Sequence, residues 1–281
     1  MAVDHTARDF RKYLVLPAAI ILTFTFIVPV FWFLMRSFSM PTWGLQNYEV
    51  FLRSAIYGRI AWNTLVISLS ATVLSLALGY PLAFTLAHVP STTRKILMFA
   101  ILIPLWTSLL VRSFAWMVLL QDKGIINSML MWTGIISEPL QLIYNRTGVL
   151  LGMTQVLLPF MILPIYSVMS RIDKRLLPAA ATLGAPPAMA FLRVYVPLTI
   201  PGIISGMSLV FVLCLGYYIT PALLGGRADT MIGQLIVLQI GELGNWGVAA
   251  ALGLSLLVAT LAIAALVALL TRSTKRWRAA Q

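Results

Sequence analysis

Residues 171–202 read RIDKRLLPAAATLGAPPAMAFLRVYVPLTIPG, a stretch in which helix-forming residues alternate with glycine and proline. Proline suits the first turn of a helix, so the helix is expected to open near Pro178. The alanines that follow it, residues 179–181, are strong helix formers. Gly184 permits the left-handed conformation that commonly ends a helix. The first half of the stretch therefore predicts one short helix closed by a glycine turn.

The second half of the stretch is interrupted by prolines. Pro186 or Pro187 is suited to start a second short helix, which is expected to run to about Val194. Pro197 and Pro201 lack a backbone N–H and are expected to break the chain where it returns to the bilayer. Two short helices, small in side chain and flanked by basic residues, would form a compact projecting surface. That surface either docks a partner or merely joins two neighbouring segments.

On both sides of this stretch the chain consists mainly of apolar runs. Of its 281 residues, 60% are apolar and 10% are charged, whereas soluble domains carry about 25% charged residues. A run of about 20 apolar residues spans the bilayer core as a helix. The composition thus predicts an all-α integral membrane protein with six transmembrane helices in a single domain, residues 1–281. The expected spans are 13–35, 62–87, 96–120, 147–170, 198–220 and 247–271.

The first apolar run raises the question of a cleavable signal. The run from Tyr13 to Met35 is longer than the 7–15 apolar residues typical of a signal, and no small-residue cleavage site follows it. It is therefore interpreted as a retained first span.

The basic residues report the orientation of the chain. The net charge is +12, but the Lys and Arg side chains lie in short segments between apolar runs, unlike the clustered faces of nucleic-acid-binding proteins. No nucleic-acid partner is therefore expected. Thirteen of the 20 Lys and Arg residues fall in the N-terminal tail, 88–95, 171–197 and the C-terminal tail. Because positive charge favours the cytoplasmic side, both termini and the 171–197 loop are predicted to be cytoplasmic.

The reactive residues are too few and too scattered for catalysis. Cys214 is the one cysteine and lies within an apolar run, while the two histidines, His5 and His88, are far apart. No metal site is therefore expected. A membrane enzyme needs clustered carboxylates, histidines or a positioned nucleophile, and a nucleotide hydrolase needs a glycine-rich phosphate loop. Neither pattern occurs in the chain, so the sequence favours a non-enzymatic membrane subunit.

The 171–202 stretch resembles the EAA loop of permease subunits of bacterial ABC importers. The shared pattern is two alanines, here Ala179 and Ala180, then Gly184 and a later Val196-Pro197-Leu198. Other segments resemble the spermidine/putrescine permease branch, and the similarity covers roughly residues 60–250. These segments are LGYPLA at 78–83, PLWT at 104–107, LVR at 110–112, LLPFM at 157–161 and YITPALLGG at 218–226.

The resemblance implies a complete importer around this chain. It implies the type I importer permease fold in the bacterial inner membrane, a second and different permease chain, two ATPase subunits that bind ATP and Mg²⁺, and a periplasmic solute-binding protein. This chain itself would carry no cofactor, and the solute would be a polyamine or a related small amine. The residues that would couple it to the ATPase are Asp173, Arg175, Pro178, Ala179, Ala180, Gly184 and Phe191.

Pro178 marks a departure from the family pattern. The family usually has glutamate before the two alanines, where a carboxylate favours the exposed N–H groups of the helix start. Pro178 keeps the helix start but removes that charge. A second permease chain with the glutamate would compensate for the change.

The solute pathway is harder to predict. Arg112 lies within the third span, so it either faces the pathway or extends to the membrane surface. A polyamine favours carboxylates and aromatic faces, but the expected spans contain no Asp or Glu. Glu242, in an outside connection, is the candidate cation-facing residue, although it also suits a solvated loop. The aromatic candidates, which either line the path or anchor the interface, are Trp106, Trp116, Tyr217 and Tyr218.

Two questions stay open at the level of sequence. Gly79, Gly202 and Gly206 are placed for close helix packing, either within this chain or against a second permease. The lack of span carboxylates also leaves an opine, an aminophosphonate or another small organic solute as an alternative. An ATP-independent channel or secondary transporter is a distant alternative, because no internal repeat of the kind typical of such transporters is found.

Overall fold

The computed structural model describes residues 16–279, and side chains as far as residue 269. The predicted start of the first span at residue 13 lies outside the described residues, as do the basic residues Arg8, Arg11 and Lys12. The side chains of the basic C-terminal tail are also outside them.

Between residues 16 and 279 all regular secondary structure is helical. The helices are α1 Leu16–Ser39, α2 Gln46–Arg53, α3 Ala55–His88, α4 Ser91–Leu102, α5 Leu109–Leu120, α6 Ile125–Trp132, α7 Arg146–Met169, α8 Leu176–Thr182, α9 Pro187–Leu215, α10 Ile219–Leu224, α11 Ile232–Gly241 and α12 Trp246–Ala279. Five of the described helices, α1, α3, α7, α9 and α12, are long and apolar enough to cross a membrane, and a sixth crossing results if one bent pair counts as a single span.

The prediction of a single helix for the third span, 96–120, is wrong, because the bent pair of helices occupies this region. Ser91–Trp106 and Leu109–Trp132 meet at an angle of 100°. Pro104 opens a tight 3₁₀ turn, and Thr107, whose hydroxyl donates to the Pro104 carbonyl at 2.8 Å, has an extended backbone. The missing N–H of proline and this side-chain bond end α4, so the chain restarts as α5 in a new direction.

The fifth span also differs from its prediction of 198–220. Helix α9 begins at Pro187, continues through Pro197 and Pro201, and ends at Leu215. The prediction that these two prolines break the chain is wrong, because the turn before Pro197 is a wide π turn. In that turn the Val196 N–H donates to the Phe191 carbonyl. The backbone hydrogen bonds of the helix therefore shift by one residue just before Pro197, which has no N–H to donate, and the helix continues. The second half of the 171–197 loop is therefore continuous with a long apolar helix.

The remaining helices keep closer to their predicted ranges. Helix α7 matches 147–170 to within one residue at each end. Helix α3 starts at Ala55, seven residues before the predicted 62, and α12 starts at Trp246.

The described residues fall into two compact units, the first within the ranges Met1–Tyr57 and Leu235–Val258 and the second within Gly58–Gln234 and Ala259–Gln281. In the second unit, α3, α7 and α9 enclose a core of buried apolar side chains such as Ile67, Met153 and Met161. The predicted glycines allow the close approach: a Cβ at Gly202 would lie 3.0 Å from the Ile165 Cα. One at Gly206 would lie 3.0 Å from the Met161 carbonyl oxygen, and one at Gly79 3.0 Å from the Met161 Cγ. These three contacts therefore lie within this chain, against α7.

In the first unit, polar contacts fix the connection between α1 and α2. The Asn47 amide donates to the carbonyls of Ser37 and Met40 at 2.9 and 2.7 Å. The Arg36 guanidinium lies 5.0 Å from the centre of the Trp246 ring, a cation–π contact.

Candidate functional site

The coupling segment, residues 171–197, presents an exposed turn after α8. Gly184 has a φ of +82°. The Gly184 N–H donates to the Ala181 carbonyl at 3.0 Å, and the Ala185 N–H to the Ala180 carbonyl at 3.1 Å. These two bonds form a Schellman motif, which satisfies the carbonyls at the end of a helix. At the tip, Leu183 is 89% exposed, so an apolar side chain is held out from the fold on a defined turn.

The start of α8 retains a carboxylate despite the proline. Helix α8 begins at Leu176, so Pro178 is its third residue. The Asp173 carboxylate accepts from the Arg175 N–H at 2.9 Å, and the Asp173 carbonyl accepts from the Leu176 N–H at 3.2 Å. The side chains of Asp173, Arg175, Pro178 and Ala179 are exposed. The segment therefore offers a polar entrance and a small-residue face to any partner.

Phe191, also a predicted coupling residue, has different surroundings, because it packs inside the second unit. It belongs to an aromatic cluster formed by Phe84 and His88 of α3 with Phe191 and Tyr195 of α9. The ring of Phe84 meets those of Phe191 and Tyr195 edge-on at 5.5 and 5.3 Å between centroids. Phe191 and Tyr195 stack at 5.7 Å, and Phe84 and His88 lie 4.1 Å apart. The aromatic cluster thus fastens the end of the coupling segment to the end of α3.

Hydrogen bonds extend this attachment in both directions. The Tyr80 and Thr199 hydroxyls lie 3.1 Å apart, one turn deeper along α3 and α9. At the other end, Arg94 donates to the Leu86 and Val89 carbonyls at 3.0 Å each. Because carbonyls at a helix end have no partner within the helix, Arg94 completes the end of α3. The second half of the coupling segment is therefore continuous with α9 and packs against the end of α3.

Three of the predicted pathway residues lie on α5 and in the connection between α9 and α10. The Nε and Nη1 atoms of Arg112 are shielded from solvent and have no hydrogen-bond partner. The next residue, Ser113, has its hydroxyl 3.4 Å from that of Thr220. The Tyr217 hydroxyl is likewise shielded and makes no hydrogen bond of normal geometry, and it is close enough to Arg112 and Thr220 to interact with both. Trp116, one turn beyond Arg112, donates from its ring N–H to the Gln155 amide oxygen at 3.3 Å.

The other predicted pathway residues have different surroundings. Trp106 is 77% exposed and contacts Phe99, with 6.3 Å between ring centroids. Tyr218 is exposed. Glu242 is exposed and belongs to the first unit, near Asn245, whose side chain accepts from the Val248 N–H at 3.2 Å at the start of α12.

Sequence reasoning missed a polar bridge centred on Arg146, the first residue of α7. Its guanidinium donates to the Asp229 carboxylate at 3.1 Å and to the Asn63 amide oxygen at 3.2 Å. The Asp229 side chain is 8% exposed and that of Arg146 is 44% exposed. This Arg146 bridge ties α3, α7 and the 226–230 turn together. In the sequence the two charges appear only as isolated residues of separate connections, 83 positions apart.

The first unit contains a second feature that the sequence did not indicate. A cleft of about 780 Å³ is lined by residues that include Asn47, Tyr57, Gln239 and Trp246. The Gln239 amide donates to the Tyr57 hydroxyl at 3.1 Å across it. Its lining contains amides and aromatic rings but no Asp or Glu.

Residues 76–276 match the model of a protein family described as the binding-protein-dependent transport system inner membrane component. The chain belongs to this family. The match includes the coupling segment, the aromatic cluster and the Arg112 region.

Several relatives carry a named transport role. The spermidine/putrescine transport system permease protein PotB of Escherichia coli K12 is 36% identical over 222 residues, covering 79% of this chain and 80% of that protein. The Haemophilus influenzae PotB is 39% identical over 219 residues, covering 77% and 76%. The inner membrane ABC transporter permease protein YdcU of E. coli K12 is 33% identical, covering 75% and 71%.

Solved structures show the same fold. The crystal structure of a bacterial ABC transporter that imports the acidic polysaccharide alginate matches with a TM-score of 0.71 at 22% identity, covering 95% of this chain and 96% of that one. The same transporter type in complex with an alginate pentasaccharide-bound periplasmic protein matches with a TM-score of 0.72 at 21% identity. The predicted importer permease fold is therefore confirmed.

Family membership also decides between the functional classes raised by the sequence. The protein is a multi-pass inner-membrane permease subunit of a binding-protein-dependent ABC importer, and it is not an enzyme. This excludes the ATP-independent channel and the secondary transporter. Within the described residues, no group of three His, Cys, Asp or Glu side chains is arranged to hold a metal ion.

Proposed function

We propose that this chain is a permease subunit of an importer that moves a polyamine such as spermidine or putrescine from the periplasm to the cytoplasm. The observation that carries the proposal is the identity of 36–39% with spermidine/putrescine permeases over more than three quarters of the chain. In this arrangement residues 1–281 form a single transmembrane domain with both termini in the cytoplasm.

The chain works with partners that supply energy and solute. A second, different permease chain completes the pathway, two ATPase subunits bind ATP and Mg²⁺, and a periplasmic binding protein delivers the solute. The ATPase contacts the exposed part of the coupling segment, and its movement passes through the Gly184 turn into α9. The residues of this contact are Asp173, Arg175, Pro178, Ala179, Ala180 and Gly184.

Phe191 has the role of passing that movement on to the membrane helices. Its ring contacts Phe84 and Tyr195, so a displacement of the coupling segment shifts the ends of α3 and α9 together. Gly79, Gly202 and Gly206 keep these helices close to α7, so the movement is shared by a packed set of three.

The pathway residues of this chain are aromatic and polar. The proposed pathway residues of the second unit are Trp106, Arg112, Trp116, Tyr217 and Tyr218. In the first unit, Glu242 is the proposed cation-facing group. One observation favours a second candidate solute, an opine, an aminophosphonate or another organic solute with a negative group. The described transmembrane helices carry no Asp or Glu, and they carry Arg112.

Reconstitution tests both the class and the solute. Proteoliposomes that contain both permease chains and both ATPases, with the binding protein added outside, are expected to take up radiolabelled spermidine when ATP is enclosed. Uptake should stop when the binding protein is omitted or ATP is replaced by a non-hydrolysable analogue. Uptake of an opine with no uptake of spermidine or putrescine would contradict the polyamine assignment and favour the second candidate.

A further inference from the structure

Arg112 differs from three other arginines whose surroundings the structure describes. Arg146 is paired with Asp229 and Asn63, and Arg94 donates to two backbone carbonyls. Arg36 lies over the ring of Trp246. Two nitrogens of Arg112 are out of contact with solvent, yet they have no hydrogen-bond partner.

The position of these nitrogens argues against a side chain that extends to the membrane surface. Such an arginine keeps its charged head in water and buries only its stem. In Arg112 two of the three guanidinium nitrogens, Nε and Nη1, are shielded, although the residue as a whole is half-buried. A buried charge without a partner is strongly unfavourable, because desolvation is not repaid. A guanidinium in this situation therefore needs a partner of opposite charge.

The described part of this chain offers no such partner. Glu49 lies near Arg53, Asp229 pairs with Arg146, and Asp173 accepts from its own turn. Asp122, Glu138 and Glu242 are exposed in connecting segments. The described transmembrane helices contain no acidic residue at all.

We propose that Arg112 and Tyr217 together bind a carboxylate that comes from outside this chain. Guanidinium presents parallel N–H donors that match the two oxygens of a carboxylate. The Tyr217 hydroxyl is also shielded and makes no hydrogen bond of normal geometry. It lies near Thr220 and Arg112, and it supplies a further donor to the same group. Ser113 and Thr220, whose hydroxyls lie 3.4 Å apart, hold α5 against α10 and so keep the two donors together.

Two sources supply this chemistry, a carboxylate side chain of the second permease subunit or a carboxylate on the solute. The first source rests on the proposed function, since it requires a second permease chain. In that case the carboxylate held by Arg112 is also the one that attracts a polyamine, and an ammonium group competes with Arg112 for it. The second source instead implies a solute with a negative group.

Replacing Arg112 and measuring the thermal unfolding midpoint shows whether the guanidinium is paired with a carboxylate of another subunit. In the assembled importer without solute, Arg112→Met should lower the thermal unfolding midpoint by about 5 °C or more if a subunit carboxylate is bound, because that carboxylate is then left buried and alone. Arg59→Met, at an exposed arginine of α3, is the control and should change the midpoint little. If the methionine variant fails to assemble, Arg112→Lys, which keeps the charge but loses the paired donors, is measured instead.

Two further comparisons show whether the carboxylate comes from the second permease or from the solute. If the carboxylate belongs to the second permease, its acidic residues can be changed to amides one at a time. One of these changes should then cause no further fall in the unfolding midpoint when it is combined with Arg112→Met. For a solute carboxylate, Arg112→Met should leave the solute-free midpoint unchanged or higher, and should weaken uptake of an opine about tenfold or more without weakening that of putrescine.

Two results overturn the inference. One is a methionine variant with an unchanged or higher midpoint and normal uptake of every solute, which means that the guanidinium has no anionic partner. The other is a loss of midpoint that occurs only when phosphatidylglycerol is present, which assigns the anion to a lipid phosphate. The unfolding midpoint needs no solute, so the stability measurement is independent of whether spermidine is transported.

Discussion

Gly184 shows most clearly how one residue determines the shape of the coupling segment. Its φ of +82° lies in the left-handed region, and a Cβ there would meet no atom within 4 Å. The constraint is therefore conformational and not a matter of space. A β-branched residue in this conformation costs about 1–3 kcal/mol, which distorts the turn that presents Leu183.

Gly184→Val is accordingly expected to reduce ATP-driven uptake about tenfold or more, since each 1.4 kcal/mol is worth a factor of ten. Solute capture by the periplasmic binding protein should be unchanged. Gly134→Val is the matched control, because Gly134 also has a positive φ, +71°, with no atom within 4 Å of its Cβ position. Equal losses in the two variants, with normal membrane abundance, would argue against a special role for residue 184.

The Arg146 bridge leads to a prediction about stability. Asp229→Asn removes the charge of a side chain that is 8% exposed while Arg146 stays in place. We expect a loss of about 1–3 kcal/mol in the free energy of unfolding, moderated because Arg146 is partly exposed. Denaturant unfolding of the detergent-solubilised assembly measures it. Glu49→Gln breaks an exposed pair, with Arg53, and should change stability by less than about 0.5 kcal/mol.

These two residues also show what a single sequence reveals. The role of Gly184 in the turn was predictable because backbone conformation is encoded by neighbouring residues, and the Schellman motif confirms that a helix ends there. The pairing of Arg146 with Asp229 was not predictable, because it joins positions 83 residues apart. Only the packing of α3 against α7 brings Asn63 to the same place. Local chemistry is readable from sequence, whereas long-range partners depend on the fold.

At the scale of helices, close packing against α7 depends on missing side chains. A Cβ at Gly202 would lie 3.0 Å from the Ile165 Cα and 3.1 Å from the Pro164 carbonyl oxygen, both backbone atoms that cannot rotate away. Gly202→Ala should therefore destabilise the protein by about 1–3 kcal/mol. Gly58→Ala, in α3 with open space around its Cβ position, should be neutral or stabilise by up to about 1 kcal/mol. Thermal unfolding of the two variants compares them, and equal midpoints would contradict the packing account.

The aromatic cluster makes a prediction about coupling. Phe191→Ala removes the edge-on contact with Phe84 and the stack with Tyr195, contacts worth about 0.5–1.5 kcal/mol each beyond burial. The expected result is that ATP hydrolysis continues while the solute imported per ATP falls several-fold. Leu192→Ala is the control, since Leu192 is its neighbour and is 63% exposed. A parallel fall in hydrolysis and uptake would instead indicate a loss of assembly.

Helix boundaries show where hydropathy gives incomplete information. Apolar length located α7 to within one residue at each end, because its ends are set by polar segments. It did not locate the 100° bend after Trp106 or the continuity of α9 through Pro197. Both depend on backbone hydrogen bonding around proline, in one case a tight turn and in the other a π turn. A proline in a sequence indicates a missing donor, but the local turn decides whether the helix ends.

For the whole molecule, the important feature is the direct connection between the coupling segment and the transmembrane helices. The coupling segment is continuous with α9, and its end is fastened to α3 by the aromatic cluster. The described parts of α1, α3, α5, α7, α9 and α12 carry no Asp or Glu. We propose that the exposed turn around Leu183 is the surface that the ATPase binds.

Site-directed cross-linking tests this claim most directly. The single native cysteine, Cys214, is buried and is replaced by alanine. Leu183→Cys and Trp132→Cys then place a thiol at positions where the native side chains are 89% and 87% exposed, respectively. With a thiol–amine cross-linker applied to inverted membrane vesicles holding the assembled importer, position 183 should cross-link to the ATPase and position 132 should not. Cross-linking of position 132 but not 183 to the ATPase, or labelling of position 183 only from the periplasmic side, would contradict the account.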